Sequence, residues 1–348
     1  MKRKVLLYGA NGFSGKLILK EAQKQGVELV IAGRNKKEIK KASDEFNFPY
    51  RIASLDNDLE INDMLKDIDC LFNAAGPFSQ TTKPLIKACI AMGIHYVDLS
   101  GEIDDYIAVH SHNKTAIENN VMLLPGVGFD IVPTDCLGLY TSKKIKDPSE
   151  LNFYIKGFDD ISSGTATTAI EAIGKGIRFR KDGKIVRAKK TETVKINYNE
   201  KNEAYLLSTW GDIFTSYLTT KIKNIKVYFK SSLFNKSYIL LLHYLESIYK
   251  YNFMKKPLFF WASMQKGPSQ EKMDTGTIEI IAEAKNSLGE SAATHLVLPE
   301  GYIFTALSSV MIIKKIQDGI IKPGFHTPAQ LFGEDFILEV EGTSRSDL

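Results

Sequence analysis

The sequence predicts an α/β protein, with a doubly wound parallel sheet at its N-terminus and a second domain of the α+β kind. Three observations carry this prediction. Short apolar runs alternate with single helical patterns over residues 4–126, a glycine-rich turn joins the first run to the first helix, and after residue 128 the strands become longer and alternate in polarity. Strands that are apolar at nearly every position need cover on both faces, which single crossover helices provide.

The elements follow in order. KVLLYG (4–9) is a strand ending in glycine, and FSGKLILKEAQKQG (13–26) has helical spacing and a glycine stop. ELVIAG (28–33) is the second strand, followed by a charged helix from Lys36 to Phe46. YRIASL (50–55), DCLFNAAG (69–76), HYVDLS (95–100) and VMLLPG (121–126) are strands three to six, and the helices between them cover LEINDMLKD, 80–92 and 104–119. Beyond GFDIVPTD (128–135), SELNFYIKG (149–157) and NIKVYFK (224–230) read as strands. GTATTAIEAIGKGIRF (164–179) reads as a helix, and NSLG divides 275–300 into a hairpin, so the sheet is expected to be antiparallel. GYIFTALSSVMIIKKIQDG (301–319) is a helix, and the remaining tail is a loop followed by a short strand.

A chain of 348 residues exceeds what one core ordinarily supports. The expected division is a nucleotide-binding domain over 1–128, an α+β substrate or dimerisation domain over 129–300, and a segment 301–348 that packs back on the first. Hydrophobic residues at 44% and charged residues at 25% are ordinary for a globular protein. The excess of 45 Lys and Arg over 41 Asp and Glu, +4, gives no case for nucleic acid. Cys70, Cys89 and Cys136 follow no metal or redox spacing and read as buried thiols in a reducing, cytoplasmic compartment. VLLYGA is too short for a secretory apolar core, and no run reaches the length of a spanning helix. His110 and His112, two apart on one helix, face different ways, so no metal site is expected.

Chemistry begins at Gly9-Ala10-Asn11-Gly12-Phe13-Ser14-Gly15. A helix start offers unpaired N–H groups and partial positive charge to a pyrophosphate, and glycines let the backbone approach it. The second strand ends Ala32-Gly33-Arg34-Asn35-Lys36-Lys37 with no acid to read a ribose 2′-hydroxyl. An arginine there favours the 2′-phosphate of NADP(H) over a merely solvated basic face. Asp56, after strand three, either accepts from the adenine amino group or caps the next helix. Asn73 and the turn Ala75-Gly76-Pro77-Phe78 are small where ribose and nicotinamide would pass. Tyr96, Asp98 and Glu102 end strand five, and Asp130 and Asp135 follow strand six. Tyr96, Asp98 and Asp130 are the candidates for proton transfer or amine binding; the alternative is that the aspartates cap helices or hold the domain junction.

These motifs, with Tyr96-Val-Asp-Leu-Ser-Gly-Glu102, Pro125-Gly-Val-Gly-Phe-Asp-Ile-Val-Pro-Thr-Asp135, Ser163-Gly-Thr-Ala, Trp210-Gly-Asp212, Gly301-Tyr-Ile-Phe-Thr305 and Thr327-Pro-Ala, resemble the saccharopine dehydrogenase-like oxidoreductases, which include trans-acting enoyl reductases. The resemblance covers most of the chain. It implies a Rossmann domain with an inserted or appended α+β domain, and NADP(H) in the cleft between them. It leaves the substrate open.

The function expected is therefore hydride transfer between NADP(H) and a C=N or C=C bond of a small molecule. The alternative is a non-catalytic NADP(H) sensor or a protein at a lipid surface. Residues 233–261, rich in leucine and aromatics beside Lys250, Lys255 and Lys256, read either as a packed helix or homodimer contact, or as an amphipathic segment meeting a lipid-like substrate or membrane surface.

Overall fold

Parallel pairing outward from Val5 organises the first sheet of the computed structural model, which describes residues 2–157, 162–173, 175–198, 201–231, 255–265 and 267–348. In chain order the first elements are β1 (Val5–Tyr8), α1 (Phe13–Lys24), β2 (Val30–Gly33), α2 (Lys36–Phe46), β3 (Tyr50–Ile52), α3 (Asp58–Met64), β4 (Cys70–Asn73) and α4 (Phe78–Met92). They continue with β5 (His95–Asp98), α5 (Ile103–Ser111), α6 (Asn113–Glu118), β6 (Met122–Leu124) and α7 (Val132–Ser142). The second half comprises β7 (Glu150–Lys156), α8 (Ser163–Ala172), β8 (Arg178–Lys181), β9 (Lys184–Arg187), β10 (Thr193–Tyr198), β11 (Lys201–Ser208), α9 (Asp212–Thr220) and β12 (Asn224–Lys230). It ends with α10 (Lys256–Ser263), α11 (Gln270–Thr275), β13 (Thr277–Lys285), β14 (Ser291–Pro299), α12 (Gly301–Gln317), β15 (Gly324–Phe325), α13 (Pro328–Phe332) and β16 (Ser344–Asp347).

The chain divides into two units, Met1–Val132 with Tyr302–Gly333, and Pro133–Gly301 with Glu334–Leu348. In the first, seven parallel strands run β15-β6-β5-β4-β1-β2-β3. The order reverses at β1, so the crevice for a ligand opens at the carboxyl ends of β1 and β4. Leu6, Leu7, Ile31, Leu71, Phe72, Val97 and Leu123 have no exposed surface, as continuously apolar strands between helical layers require. The returning α12 belongs to this unit from Tyr302 on, where Thr305 Oγ1 accepts from Phe129 N and Ser308 Oγ donates to Val127 O. The seventh strand, β15, is two residues long and carried no recognisable strand signal.

The second unit is built on a nine-stranded sheet in which β10-β11-β12-β7-β13-β14-β16 form the main path and β8 pairs with β12 and β9. This sheet is mixed rather than antiparallel, because β12 lies parallel to β7. The helix expected over 164–179 stops at Ala172, and Gly176 at φ 70 turns the chain into β8. The helix over 104–119 divides at His112, where Ser111 Oγ bonds back to Ala108 O and competes with the helical ladder. In the tail, Phe336–Glu339 is a 3₁₀ turn and the strand is β16. Residues 334–348 lie with the second unit, unlike the single packing expected for 301–348, because β16 pairs with β14. Of the 233–261 segment, residues 233–254 lie outside the described residues.

Candidate dinucleotide and proton-transfer site

The glycine loop is built by close backbone contacts. Gly9 has φ 87, and a Cβ on it would stand 2.7 Å from Ala75 N and 2.8 Å from Ala75 Cβ. Gly9 N donates to Ala32 O at 2.9 Å and Gly12 N to Gly9 O at 3.0 Å, which ties the loop to β2 and closes the turn. A Cβ on Gly15 would lie 2.4 Å from Gly9 O, so this glycine lets α1 sit against the loop. Gly12 is the N-cap of α1, with no side-chain cap bond and no acid in the first turn. The helix start thus keeps its N–H groups and its positive end available to an anion. Phe13 packs edge-on against Tyr302 at 4.9 Å, while Ala10 is buried and Asn11 and Ser14 are partly exposed.

At the end of β2, Gly33 leaves no room for a side chain, since a Cβ would meet Ile39 Cδ1 at 2.8 Å and Asn11 Oδ1 at 3.2 Å. Arg34, Lys36 and Lys37 follow, all exposed. Asn35 caps α2, its Oδ1 accepting from Lys37 N and Glu38 N at 3.1 and 3.2 Å. Tyr8 donates to Ala53 O at 3.2 Å and so bridges the ends of β1 and β3. Burial pushes the Tyr8 hydroxyl up to about 12, with Arg34 opposing and Asp56 and Glu60 reinforcing the shift. Asp56 is exposed and accepts from Ser54 Oγ. Helix α3 is capped by Asn57 instead, which accepts from Leu59 N and Glu60 N, so the capping role open to Asp56 falls to its neighbour.

The β4 end is held by Asn73. Its Oδ1 accepts from Ala75 N at 3.0 Å, and its Nδ2 donates to Thr81 Oγ1 at 3.0 Å and Tyr96 Oη at 3.2 Å. Thr81 Oγ1 in turn donates to Ala75 O at 2.7 Å. The following Gly76–Pro77 peptide is cis, a Cβ on Gly76 would meet Phe78 Cε2 at an ordinary 4.0 Å, and Phe78 begins α4. Asn73 is a positioning residue that its sequence context, a small-residue turn, only hinted at.

Tyr96 and Asp98 are both fully buried. Asp98 accepts from Tyr96 Oη at 2.9 Å, Ser100 N at 2.9 Å, Ser100 Oγ at 2.6 Å and Gly126 N at 3.1 Å. Burial raises its pKa, and the bonds from Ser100, Tyr96 and Gly126 oppose the rise. The carboxylate therefore ties the end of β5 to the end of β6. Asp130 differs: part of its surface is accessible, and burial pushes its carboxyl up to about 7. Its Oδ2 would lie 2.6 Å from a Cβ on Gly101, so that glycine makes its position possible. Glu102 is the N-cap residue of α5. Asp135 lies in the other unit, fully buried, and accepts from Thr219 Oγ1 at 2.6 Å. No group of three His, Cys, Asp or Glu side chains suited to a metal ion occurs among the described residues.

A seven-stranded parallel sheet with a bare glycine loop at its topological switch point defines a dinucleotide-binding domain of Rossmann type. Residues 5–123 match the saccharopine dehydrogenase NADP binding domain, and the cofactor of this domain is NADP(H). The chain is 27% identical over 161 residues to a mouse saccharopine dehydrogenase-like oxidoreductase, covering 40% of the chain and 38% of the relative. It is 25% identical over 185 residues to a trans-acting enoyl reductase of Mycobacterium tuberculosis, covering 49% of the chain and 44% of the relative. These matches span less than half the length of either relative. The fold as a whole is similar to that of apo saccharopine dehydrogenase (L-Glu forming) from Saccharomyces cerevisiae, with a TM-score of 0.67 at 12% identity over 99% of this chain and 100% of that one. The chain is thus saccharopine dehydrogenase-like in the sequence of its nucleotide domain and in its fold.

Proposed function

We propose that this chain is an NADP(H)-dependent oxidoreductase that transfers hydride to or from a C=N or C=C bond. The observation that carries the reading is the uncapped start of α1, stripped of Cβ atoms at Gly9, Gly12 and Gly15, with Arg34 rather than an acid at the end of β2. Gly9 to Gly15 would receive the pyrophosphate, Arg34 and Lys36 the 2′-phosphate, and Asp56 the adenine amino group. Asn35 would hold α2 in place under the phosphate, and Ala75 to Phe78 would pass beneath ribose and nicotinamide.

When bound, the cofactor supplies or accepts the hydride. The residue left to this chain is a proton donor, and Asp130 is the best of the three candidates. It is partly accessible, and a carboxyl near 7 is divided between its acid and base forms at neutral pH, so it can both give and take a proton. Its acid form would donate the proton that balances hydride addition, at nitrogen or at carbon, and recover it in the reverse direction. Tyr96 and Asp98 then act as supports for the loops around it. A reducing, cytoplasmic location belongs to the same reading, supported by three buried cysteines that form no disulfide.

The test is NADPH oxidation by the purified protein across a panel of imines, enals and enoyl thioesters. Turnover of any class that falls sharply in Asp130→Asn supports the assignment. Turnover unaffected by that substitution removes Asp130 from it, and tight NADPH binding with no turnover on any substrate favours a cofactor-sensing protein.

A further inference from the structure

The strands of the parallel sheet are mostly apolar, yet two neighbours carry polar side chains into its interior. Asn73 and Asp98 stand side by side in register where β4 and β5 end, and Tyr96 lies two residues before Asp98. None of the three has exposed surface, and Thr82 of α4, also buried, brings its hydroxyl within 3.4 Å of Tyr96 Oη. Buried polar groups must be matched bond for bond, and a well-packed apolar set of the same shape would hold the strands together as well. Stability alone does not account for such a network, so its two ends matter.

The hydrogen bonds run one way. Ala75 N can only donate, so the Asn73 oxygen 3.0 Å away accepts, and the Asn73 nitrogen is turned toward Thr81 Oγ1 at 3.0 Å and Tyr96 Oη at 3.2 Å. Tyr96 thus accepts from Asn73 and gives its one proton to Asp98 Oδ2 at 2.9 Å. Asp98 Oδ1 takes Ser100 N, Ser100 Oγ and Gly126 N, which anchors the carboxylate just past β5 and β6. In a chain whose donors all point toward one carboxylate, each bond polarises and strengthens the next.

The other end is the turn after β4, where Ala75 is partly exposed and Gly76 exposed. Thr81 Oγ1, the second partner of the Asn73 nitrogen, donates to Ala75 O at 2.7 Å, so Ala75 is gripped through both its N–H and its carbonyl. Ala75 in turn lies against the glycine loop, since a Cβ on Gly9 would stand 2.7 Å from Ala75 N. Asn73 therefore fixes the turn against that loop. In the strand order β5-β4-β1-β2-β3, this network lies on one side of β1, and Arg34 and Asp56 follow β2 and β3 on the other. Among the described residues, no side-chain bond of Asn73, Tyr96 or Asp98 reaches β2 or β3.

We propose that Asn73 positions the nicotinamide end of the cofactor, and that Tyr96 and Asp98 act on that end through it. The inference rests on the NADP(H) reading of the site given above, in which the Ala75–Phe78 turn passes beneath the nicotinamide. It adds which buried side chains hold the hydride-transfer half in place, and it leaves the adenine half independent of them.

The experiment is calorimetric titration of the full chain, and of Asn73→Leu and Tyr96→Phe, with NADPH and with adenosine 2′,5′-bisphosphate, which has the adenine half and no nicotinamide. Asn73→Leu should bind NADPH about tenfold more weakly while binding the bisphosphate within about twofold of wild type, the scale of one or two lost hydrogen bonds. Tyr96→Phe keeps the bond from Ala75 N to Asn73 and should show the same split at about threefold. The nicotinamide fluorescence of NADPH bound to Asn73→Leu should approach that of free NADPH, because the ring is no longer held. Thermal unfolding shows which variants are folded at the titration temperature; should Asn73→Leu not be, Tyr96→Phe decides alone. Equal losses for the two ligands, as a merely structural role would give, or no loss in either variant, would overturn the inference and leave the NADP(H) site standing. A wild type that binds neither ligand would overturn both.

Discussion

The Asp130 carboxylate lies against the α-carbon of Gly101, so close that a Cβ on Gly101 would stand 2.6 Å from Asp130 Oδ2 and 2.9 Å from its Cγ. Glycine at 101 is what allows the carboxyl to occupy this place. Gly101→Ala should therefore displace Asp130 and lower turnover by about 10²-fold, the scale on which a misplaced catalytic group costs rate. NADPH affinity should stay within about twofold of wild type, since the residue lies away from the glycine loop. Calorimetry beside steady-state kinetics checks both halves.

The raised pKa of Asp130 also gives a stability prediction. Its folded value of about 7 lies above the ordinary carboxyl value of 3.8, so the folded state holds a proton that the unfolded state has released. Its contribution to stability is therefore greatest at the acid end of that window and declines as pH rises from about 4 to about 7. Asp130→Asn removes this slope and should be more stable than wild type at pH 8 while losing activity. Thermal unfolding of both proteins across pH 4 to 9 reads the difference; parallel curves would count against the shift.

Gly9→Ala meets two obstacles at once, φ 87 and contact with Ala75. A loss of at least about 2 kcal/mol in stability is expected, together with loss of NADPH binding. Retained binding would mean that the loop can relax without consequence for the cofactor.

Much of the nucleotide domain was legible because its strands are short, continuously apolar and stopped by glycine. Helix α2 runs from Lys36 to Phe46 as its pattern indicates. The second unit was less so. The start of β8 was absorbed into a helix expected over 164–179, because Ala, Ile and Gly there mimic helical spacing, and the rest of the hairpin with its Asp182-Gly183 turn went unassigned. The parallel pairing of β12 with β7 joins residues some seventy positions apart, which no local pattern records. At the site, the sequence marked Tyr96, Asp98 and Asp130 alike as acids or phenols near strand ends. Only the degree of exposure separates the fully buried Tyr96 and Asp98 from the partly accessible Asp130.

Asp98 takes four hydrogen bonds in a site closed to water, so Asp98→Ala leaves those donors without an acceptor. A destabilisation of about 3–5 kcal/mol is expected, and Tyr96→Phe, which removes the bond to Asp98 and the one accepted from Asn73, should cost about 1–3 kcal/mol. Chemical denaturation measures both. If Asp98→Ala folds as well as wild type, the carboxylate is not what joins β5 to β6.

In the second unit, Arg345 lies 3.4 Å over the Tyr140 ring and donates to Glu334 O at 3.1 Å and to Asp335 Oδ1 at 2.5 Å. It fastens β16 beside α7. Arg345→Ala should expose β16 to faster amide exchange and lower stability by about 1–3 kcal/mol, through lost packing as much as lost charge.

The central claim, that the glycine loop and Arg34 select NADP(H), is tested most directly by calorimetric titration of the wild-type chain and of Arg34→Ala with NADPH and NADH. Wild type should bind NADPH at least about tenfold more tightly than NADH, and Arg34→Ala should lose about 10- to 100-fold for NADPH with little change for NADH. Equal affinities in wild type, or an Arg34→Ala variant that still prefers NADPH undiminished, would contradict it.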